Sequence, residues 1–533
     1  MLRPIAVSRW PSAEVIFLER QENEIGHRLS ADGYRPDKRQ EGTSSMMNET
    51  VSPALSRNGR YVILVCAFLG WFCAGFHLAI SALAMQPAAI DLLGRVKELD
   101  VPRYQQLLKL APKKATDSSA LSPEEKVEWT TAKAKVVRWY GFLQCGFLFG
   151  AASGGLFFGR LGDRIGRSKA MALSILTYSI MSGAASLAQS PLQLLVLWYL
   201  TCTGVGGMWP NGVALVSEAW ASLSRPAAAG IIGTSANIGI FLVSTVARNI
   251  SAIGEWPMWQ WISFSNWPET WHLGADASFA TWRWMFVVGA VPVVLGVFAL
   301  LGVPESPSWL SARRVPADGP LSNASTWEVF RPPLLRITIV GIALATIPLI
   351  GGWGSANWMV PWAGEVGDAA TPPMGKELRA DVQQARSLTG IVGSLIGGWV
   401  GSVVGRRRAY LLASVLCLVS AQCTFWFVVP TDRWMFLLGV GSLGFFSGIF
   451  FGWLPLFLPE LFSTRIRSTG AGVSFNFGRI LTAFTLFATS MLTESELFQG
   501  DYARIGRVTS LIFALGALAV WFAPDTSQKQ LAD

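Results

Sequence analysis

Long apolar segments separated by short polar ones dominate the sequence. Many of these segments exceed the roughly 18 uncharged residues that a helix needs to cross the hydrocarbon core of a membrane. Their residues are apolar all around the helix, which argues against the alternating strands of a membrane barrel. The pattern predicts twelve spanning helices, because a helix satisfies all of its backbone groups internally. Spans 1 to 12 are predicted at 61–86, 140–159, 169–188, 191–215, 226–248, 283–303, 335–360, 386–404, 408–429, 434–456, 469–492 and 505–523.

Composition agrees with this pattern. Of 533 residues, 51% are hydrophobic and only 14% are charged, whereas a soluble domain carries roughly 25% charged residues. We therefore interpret the chain as an integral protein of the lipid bilayer. The net charge of +9 comes from loops that form no basic stripe, so nucleic acid is not an expected partner. The six cysteines fall in apolar segments and there are three histidines, so no metal or other cofactor is expected.

The basic residues of the short loops predict an orientation. If the N-terminus is cytoplasmic, the predicted cytoplasmic loops are basic and the opposite short loop near residue 189 carries no basic residue. This positive-inside bias predicts a multi-pass protein of the cell membrane with both termini in the cytoplasm. The segment of about 50 residues after span 1 has mixed charge, and such long loops translocate despite their lysines. The basic loop residues are Arg160, Arg164, Arg167, Lys169, Arg225, Arg313, Arg314, Arg406, Arg407, Arg408, Arg465 and Arg467.

An internal repeat divides the chain into two halves. Residues 159–167, GRLGDRIGR, close span 2, and residues 398–406, GWVGSVVGR, close span 8 at an offset of 239 positions. Asn237 of span 5 and Asn476 of span 11 lie in similar segments at the same offset. The repeat predicts two pseudo-symmetric halves of six helices, with a solute site between them near the middle of the bilayer.

The repeat and the polar segments together predict the domain organisation. Residues 1–58 are predicted to be a disordered cytoplasmic tail because they are polar and mixed in charge. The first six-helix half is predicted at 59–303 and the second at 335–526. A cytoplasmic linker at 304–334 joins them, and a short cytoplasmic tail at 527–533 ends the chain.

Four segments resemble motifs of a known transporter family. Gly159–Met171, GRLGDRIGRSKAM, resembles the signature loop between spans 2 and 3 of the major facilitator superfamily. The segments 304–310, PESPSWL, and 459–467, PELFSTRIR, resemble its sugar-porter-like and metabolite:proton symporter branches, and FNFGR at 475–479 resembles the sialate and lactate symporters. The resemblance covers about residues 60–526. It implies an all-α membrane protein with twelve transmembrane helices in two halves, which moves a small solute by alternating access.

The resemblance also implies a cytoplasmic latch that forms in one state of the transport cycle. It places hydrogen-bond partners for the carboxylate of Asp163 at the start of span 11, around 468–470, where the helix dipole is favourable. The equivalent residue of the second half is Ser402, so the latch is expected to be asymmetric. The alternative is that the arginines only set the orientation. The candidate gating residues are Gly159, Asp163, Arg164, Gly166, Arg167, Glu218, Arg225, Glu305, Arg406, Glu460 and Arg467.

The acids that couple protons in the symporter branches are missing here. Span 1 of those branches reads roughly GWFxDGFD, whereas this chain has GWFCAGFH, with Ala74 and His77 in place of the acids. In span 4, Trp198 and Met208 replace an arginine and an acid. His77 is the remaining candidate for proton coupling, because an imidazole has an unperturbed pKa of about 6.5. A hydrogen-bonded packing role is the alternative.

A charge within span 11 points to the solute. Arg479 lies about ten residues beyond the predicted helix start, roughly 15 Å deep, where a guanidinium needs a polar cavity. Its planar fork suits a carboxylate, and its counterpart in the first half is Ile240. A role in the gating network is the alternative. The candidate substrate-binding residues are Arg479, Asn476, Asn237, Gln144, Gln383, Trp353 and Asn357.

Together these features predict a secondary active or facilitative transporter of a small solute, an organic acid or a sugar-like metabolite, that functions as a monomer. A proton symporter, a uniporter and an exporter all remain open. An ATP-driven pump is disfavoured because the sequence has no P-loop, and an enzyme is not expected because no catalytic constellation occurs in the spans. A membrane sensor that has lost transport is the alternative from another functional class.

Overall fold

A computed structural model provides the structure of the protein, and among the residues it describes the regular structure is helical, without strands. Nearly all of the two predicted tails and most of the predicted linker at 304–334 lie outside the described residues. The described residues are 55–111, 121–219, 225–254, 282–306, 309–310, 326–462, 467–493, 495, 497–524 and 526.

Each predicted span overlaps a described helix, in the predicted order. Nine of them are long and apolar enough to cross a membrane. The other three, spans 3, 5 and 8, have 19, 30 and 29 residues, which suffices for a crossing at about 1.5 Å per residue. Spans 1 to 12 are Arg57–Leu83, Pro123–Ile165, Arg167–Ala185, Pro191–Ala219, Arg225–Gly254, Trp282–Gly302, Leu334–Asp368, Gly375–Val403, Arg406–Phe427, Arg433–Glu460, Arg467–Met491 and Tyr502–Phe522.

Span 2 begins 17 residues before its predicted start at 140. Ser122 and Glu125 form a capping box, in which Ser122 Oγ accepts from Glu125 N at 3.2 Å and Glu125 Oε2 accepts from Ser122 N at 3.0 Å. Pro123 occupies the first helical turn, where its missing N–H costs nothing. At 43 residues the helix is roughly 65 Å long, about twice the thickness of the hydrocarbon core.

The segment between spans 1 and 2 is largely helical instead of a loop. It contains the helices Met85–Arg95 and Val101–Leu110, which pack against the projecting end of span 2. Tyr104 and Trp129 stack at 5.2 Å in a small apolar core of this segment. The long mixed-charge segment therefore contributes a folded cap at one face of the molecule.

Span 7 is interrupted near its middle. Its helix Leu334–Leu349 is followed by a wide π-helical turn at Ile350–Ser355 and a tight turn at Ala356–Trp358, before the helix resumes at Met359–Asp368. A wide turn of this kind disturbs the regular backbone hydrogen bonding and often marks a functional position. The predicted substrate-binding residues of span 7 both lie within this interruption.

The sequence repeat extends to the backbone. Gly166, between spans 2 and 3, has φ 111°, and Gly405, between spans 8 and 9, has φ 96°. The two glycines are 239 positions apart, the offset of the sequence repeat. Only glycine adopts such a conformation without strain. The two halves therefore use the same turn at equivalent positions.

The halves meet along two pairs of helices. Span 2 packs against span 11, and span 5 packs against span 8. We call the side that carries the turns at 166 and 405 the arginine-loop face, and the side that carries the cap between spans 1 and 2 the opposite face. The interface between the halves runs from one face to the other.

Candidate solute site and gates

A chain of polar side chains crosses the interface between the halves. Gln144 of span 2 donates to Ser81 O at 2.7 Å, and its Oε1 accepts from Ser81 Oγ at 2.7 Å and from Asn357 Nδ2 at 3.4 Å. Asn357 Oδ1 accepts from Arg386 Nη1 of span 8 at 2.8 Å. Tyr140 Oη also donates to Asn357 O at 3.1 Å. We call Ser81, Gln144, Asn357 and Arg386 the central polar chain. It joins spans 1 and 2 to spans 7 and 8.

Burial explains why these groups bond to one another. Ser81, Gln144 and Asn357 are 0%, 1% and 3% exposed, and a buried polar group without a partner loses roughly 1–3 kcal/mol. Arg386 is only partly buried. Each nitrogen of its guanidinium either forms a hydrogen bond or is accessible from open space. The buried part of the chain is therefore satisfied, while the guanidinium retains donors that face open space.

Arg386 is the principal interface residue that the sequence prediction left out of its candidates. Span 8 was predicted to begin at 386, which assigned this arginine to the membrane boundary. The helix in fact begins at Gly375, so Arg386 lies about eleven residues inside it, roughly 16 Å along the axis. A signal for Arg386 was available in the sequence. Gln383, a predicted substrate-binding residue, lies three positions before it, and residues three apart share one helix face. Among the described residues, no carboxylate forms an ion pair with Arg386.

Arg479 also lies at the interface between the halves. Its Nη1 donates to Ala151 O of span 2 and to Asn476 Oδ1, both at 3.3 Å. Its guanidinium stands 4.7 Å from the centre of the Phe475 ring. The side chain is partly buried, and the described ion pairs do not include it. The predicted substrate residues Arg479 and Asn476 are thus brought together, opposite the first half.

An aromatic pair separates the two arginines. Trp353, in the wide turn of span 7, stacks on Phe147 of span 2 with ring centres 4.4 Å apart. On span 2, Phe147 lies between Gln144, which belongs to the central polar chain, and Ala151, which contacts Arg479. The interface therefore presents a cationic group, an apolar surface and a second cationic group in that order.

The two equivalent asparagines occupy similar surroundings. An added side-chain carbon at Gly390 of span 8 would lie 3.5 Å from Asn237 Oδ1, and one at Gly155 of span 2 would lie 3.0 Å from Asn476 Oδ1. Each asparagine therefore faces a glycine of the other half, where small residues permit close helix packing. Gln383 is 1% exposed, and its Oε1 accepts no hydrogen bond from a described residue.

His77 lies away from this interface. Its ring is fully buried, its Nδ1 is 3.3 Å from Cys73 O, and its ring centre is 4.9 Å from that of Tyr178 and 6.3 Å from that of Trp198. These neighbours belong to spans 1, 3 and 4 of the first half. The placement favours a packing role over proton coupling, because a ring enclosed on one side of the interface does not face the solute path.

Ion pairs connect the halves at the opposite face. Lys133 Nζ of span 2 lies 2.7 Å from Glu365 Oε1 of span 7, and both side chains are less than 15% exposed. Asp381 of span 8 pairs with Arg248 of span 5 and, at 2.7 Å, with Arg433 of span 10. We call Lys133, Glu365, Arg248 and Asp381 the opposite-face gate. The sequence analysis predicted none of these pairs.

Further hydrogen bonds support this gate. Gln86 of the cap donates to Tyr502 Oη of span 12 at 2.9 Å and accepts from Arg379 Nη2 of span 8 at 3.3 Å. Arg379 in turn pairs with Asp368 at 2.6 Å. These contacts again join the first half to the second. The opposite face is therefore closed.

At the arginine-loop face, Glu305 caps the start of span 3. Its carboxylate accepts from Arg167 N at 2.9 Å, from Ser168 N at 3.2 Å and from Ser168 Oγ at 2.9 Å. A carboxylate at this position satisfies free backbone donors and interacts favourably with the helix dipole. An added carbon at Gly166 would clash with the same carboxylate. The glycine thus provides both the turn and the space for Glu305.

The carboxylate of Asp163 contacts a different partner from the one that the resemblance implies. Its carboxylate pairs with Arg167, four residues later, at 3.0 Å and is 66% exposed. Its backbone carbonyl accepts from Trp309 Nε1 at 3.0 Å. The side chains at 467–469, at the start of span 11, lie outside the described residues. At the turn between spans 2 and 3, the carboxylate that caps a helix start is Glu305, on span 3.

In the second half the latch residues form a buried ion pair. Arg406 Nη2 lies 2.8 Å from Glu460 Oε1, with 11% and 6% of the side chains exposed. Thr526 Oγ1 donates to Glu460 Oε2 at 2.6 Å, and Arg406 Nη1 donates to Ser402 Oγ at 3.2 Å. In the first half Glu218 accepts a hydrogen bond from Ser306 Oγ instead. The two halves therefore differ at this face.

The remaining latch candidates are less informative. Gly159 has open space around it, and Arg164 is exposed. Helices begin at Arg225 and Arg467, but the side chains of these residues lie outside the described part. Glu305 and Ser306 directly follow span 6, so we count them with the first half. Each latch contact described above then lies within one half, and none of these contacts connects the two halves.

Two repeated helical halves, with polar groups along their interface and ion pairs that join them at one face, are the architecture of a membrane carrier. The sequence profile of the Major Facilitator Superfamily matches residues 67–486. The chain belongs to this family and is a multi-pass membrane transporter of a small solute, not an enzyme.

Several known transporters are similar to this chain. The cis,cis-muconate transport protein of Acinetobacter baylyi is 26% identical over 64% of this chain and 75% of its own. The sialic acid transporter NanX of Escherichia coli is 22% identical over 61% of this chain and 71% of its own. An inward-open structure of the xylose transporter XylE from E. coli has a TM-score of 0.58 at 16% identity and covers 89% of this chain and 98% of that chain. This structural likeness confirms the predicted fold.

Proposed function

We propose that this transporter carries a small organic anion and that Arg386 binds the carboxylate of that anion between the two halves. The observation that carries the proposal is the placement of the Arg386 guanidinium. It lies deep in span 8, touches the central polar chain through Asn357 at 2.8 Å, and has no described carboxylate partner. A cation in the membrane is costly without such a partner.

A carboxylate meets the chemical needs of this position. It offers two oxygens to the planar guanidinium fork, and charge-assisted bonds of this kind are about twice as strong as neutral ones. Asn357 is held on both sides, by Gln144 and by Tyr140, so it fixes the direction in which Arg386 points. A neutral sugar supplies hydroxyl groups but leaves the positive charge uncompensated.

The relatives support an acidic solute. The names of two of them specify cis,cis-muconate and sialic acid, and both compounds carry carboxylates. The charge that such a solute would balance, Arg386, lies within this chain.

The proposal assigns the arginine-loop face to the cytoplasm of a cell-membrane protein, following the positive-inside bias. The structure then corresponds to a state closed toward the outside by the opposite-face gate. Rocking of the halves opens that gate and brings Glu305, Asp163 and their neighbours at the cytoplasmic face toward the second half. The candidate gating residues act in this second state.

Counterflow in proteoliposomes tests the proposed function. We expect several unlabelled carboxylates inside the vesicles to drive uptake of a labelled carboxylate, whereas the corresponding primary amides and sugars do not. The reason is that an amide keeps the shape but loses the charge that Arg386 binds. Exchange of sugars without exchange of any carboxylate would contradict the proposal. Repeating the assay with and without a pH gradient decides whether protons are coupled.

A further inference from the structure

Arg386 and Arg479 lie at two levels of the same interface. Arg386 is linked through Asn357 to Gln144, and Arg479 donates to Ala151 O, both on span 2. These two positions are seven residues apart, which is about 10 Å along a helix. Both guanidinium groups are partly buried. In each, the nitrogens that form no hydrogen bond are accessible from open space. Each therefore keeps donors for a ligand.

A monocarboxylate balances only one of these charges. Binding of a solute removes water from the interface, and a cation that loses water without gaining a counter-ion is strongly disfavoured. The described carboxylates that form ion pairs do so with other cations, at the two faces of the protein. The second charge must therefore come from the solute itself.

The region between the arginines sets the shape of that solute. Trp353 and Phe147 stack at 4.4 Å with an angle of 27° between their planes. Phe147 lies midway between the two levels on span 2. The faces of a pair of aromatic rings favour a flat, apolar body.

We infer that the substrate is a dicarboxylate with a flat apolar body, held by Arg386 and Asn357 at one end and by Arg479 and Asn476 at the other. This inference rests on the proposed function and refines it. Arg386 provides the general anchor for any carboxylate. Arg479 adds the preference for a second carboxylate, and Trp353 supports the body between them.

A matched pair of probes tests the inference. Trans,trans-muconate and sorbate have the same six-carbon trans,trans-diene chain, but muconate has a carboxylate at both ends and sorbate at one. We expect purified protein to bind muconate at least about tenfold more tightly, because a lost charge-assisted bond costs at least that much. In Arg479→Gln, muconate affinity is expected to fall, whereas sorbate affinity stays the same or rises because the uncompensated charge is gone, so the preference for muconate is lost.

Longer and shorter dicarboxylates, assayed alongside, locate the preferred length. Arg507→Gln is the matched control, because Arg507 of span 12 donates to Phe425 O at 2.9 Å and stands over Trp426, away from the interface. Its affinities are expected to equal those of the unaltered protein, and thermal melting verifies folding. The inference is overturned if carboxylates bind but dicarboxylates have no advantage, or if Arg479→Gln weakens both probes equally. Failure of every carboxylate to bind instead removes the proposed function.

Discussion

Arg386→Gln is expected to reduce carboxylate counterflow by about a hundredfold or more. The substitution keeps a side chain that can donate to Asn357 Oδ1, which now accepts from Arg386 at 2.8 Å, but it removes the positive charge. Loss of two charge-assisted hydrogen bonds from a partly buried site corresponds to roughly 3 kcal/mol or more, and that is a factor of at least about a hundred. Initial rates in proteoliposomes with equal amounts of protein measure the effect.

Two further variants show whether charge or geometry is responsible. Arg386→Lys keeps the charge without the planar fork and is expected to retain a part of the activity. Arg507→Gln removes a membrane arginine of the same half that stands 4.0 Å over Trp426 and is expected to transport normally. If Arg386→Gln transports carboxylates within about twofold of the unaltered protein, the assignment of Arg386 as anchor is wrong.

Asp381→Asn is expected to shift the protein toward a state in which the opposite face is open. Asp381 is 5% exposed and pairs with Arg248 of the first half and Arg433 of the second. Without its charge the two arginines are left facing each other. Because they are 35% and 44% exposed, water screens them, and the cost lies well below that of a fully buried pair. Separation of the halves relieves this cost, so the population shifts away from the closed state.

Spin labels at Asn249, near the end of span 5, and Thr431, before span 10, report this change. Both side chains are exposed at the opposite face, and the distance between the labels is expected to increase in Asp381→Asn. Asp432→Asn provides the control, since Asp432 at the same face is exposed and accepts only from Met435 N at 3.4 Å in a helix cap. An unchanged distance distribution in Asp381→Asn would exclude this ion pair as a gate.

The spans and the repeat were predictable because they depend on local pattern. Membrane thickness sets the length of an apolar helix, and duplicated turns such as those at Gly166 and Gly405 leave a fixed offset in the sequence. The starts of spans 2 and 8 were predicted too late. Their first turns are polar and helical beyond the apolar segment, so hydropathy alone does not detect them, and Arg386 was consequently placed at the boundary.

The partners of the charged residues were not predictable from local pattern. Lys133 and Glu365 are more than 200 positions apart, and nothing in either neighbourhood specifies the other. The sequence did select Gln144, Asn357 and Arg479 as candidates, because polar groups within apolar spans are rare and usually functional; the structure places all three at the interface between the halves. The same rule also selected His77, which the fold instead encloses within the first half. Which face of a span meets the other half depends on packing.

The most direct test of the account is a cleavable cross-link across the opposite-face gate. Cysteines replace Lys133 and Glu365, whose charged groups are 2.7 Å apart, in a background with Cys423→Ser, because Cys423 is the exposed one of the six native cysteines. Joining them with a short bifunctional thiol reagent is expected to stop carboxylate counterflow, and reduction of the link is expected to restore it. In the two single-cysteine variants, the reagent cannot form the link, so counterflow is expected to be the same before and after treatment. Undiminished counterflow in fully cross-linked protein would contradict a carrier whose halves must part at this face.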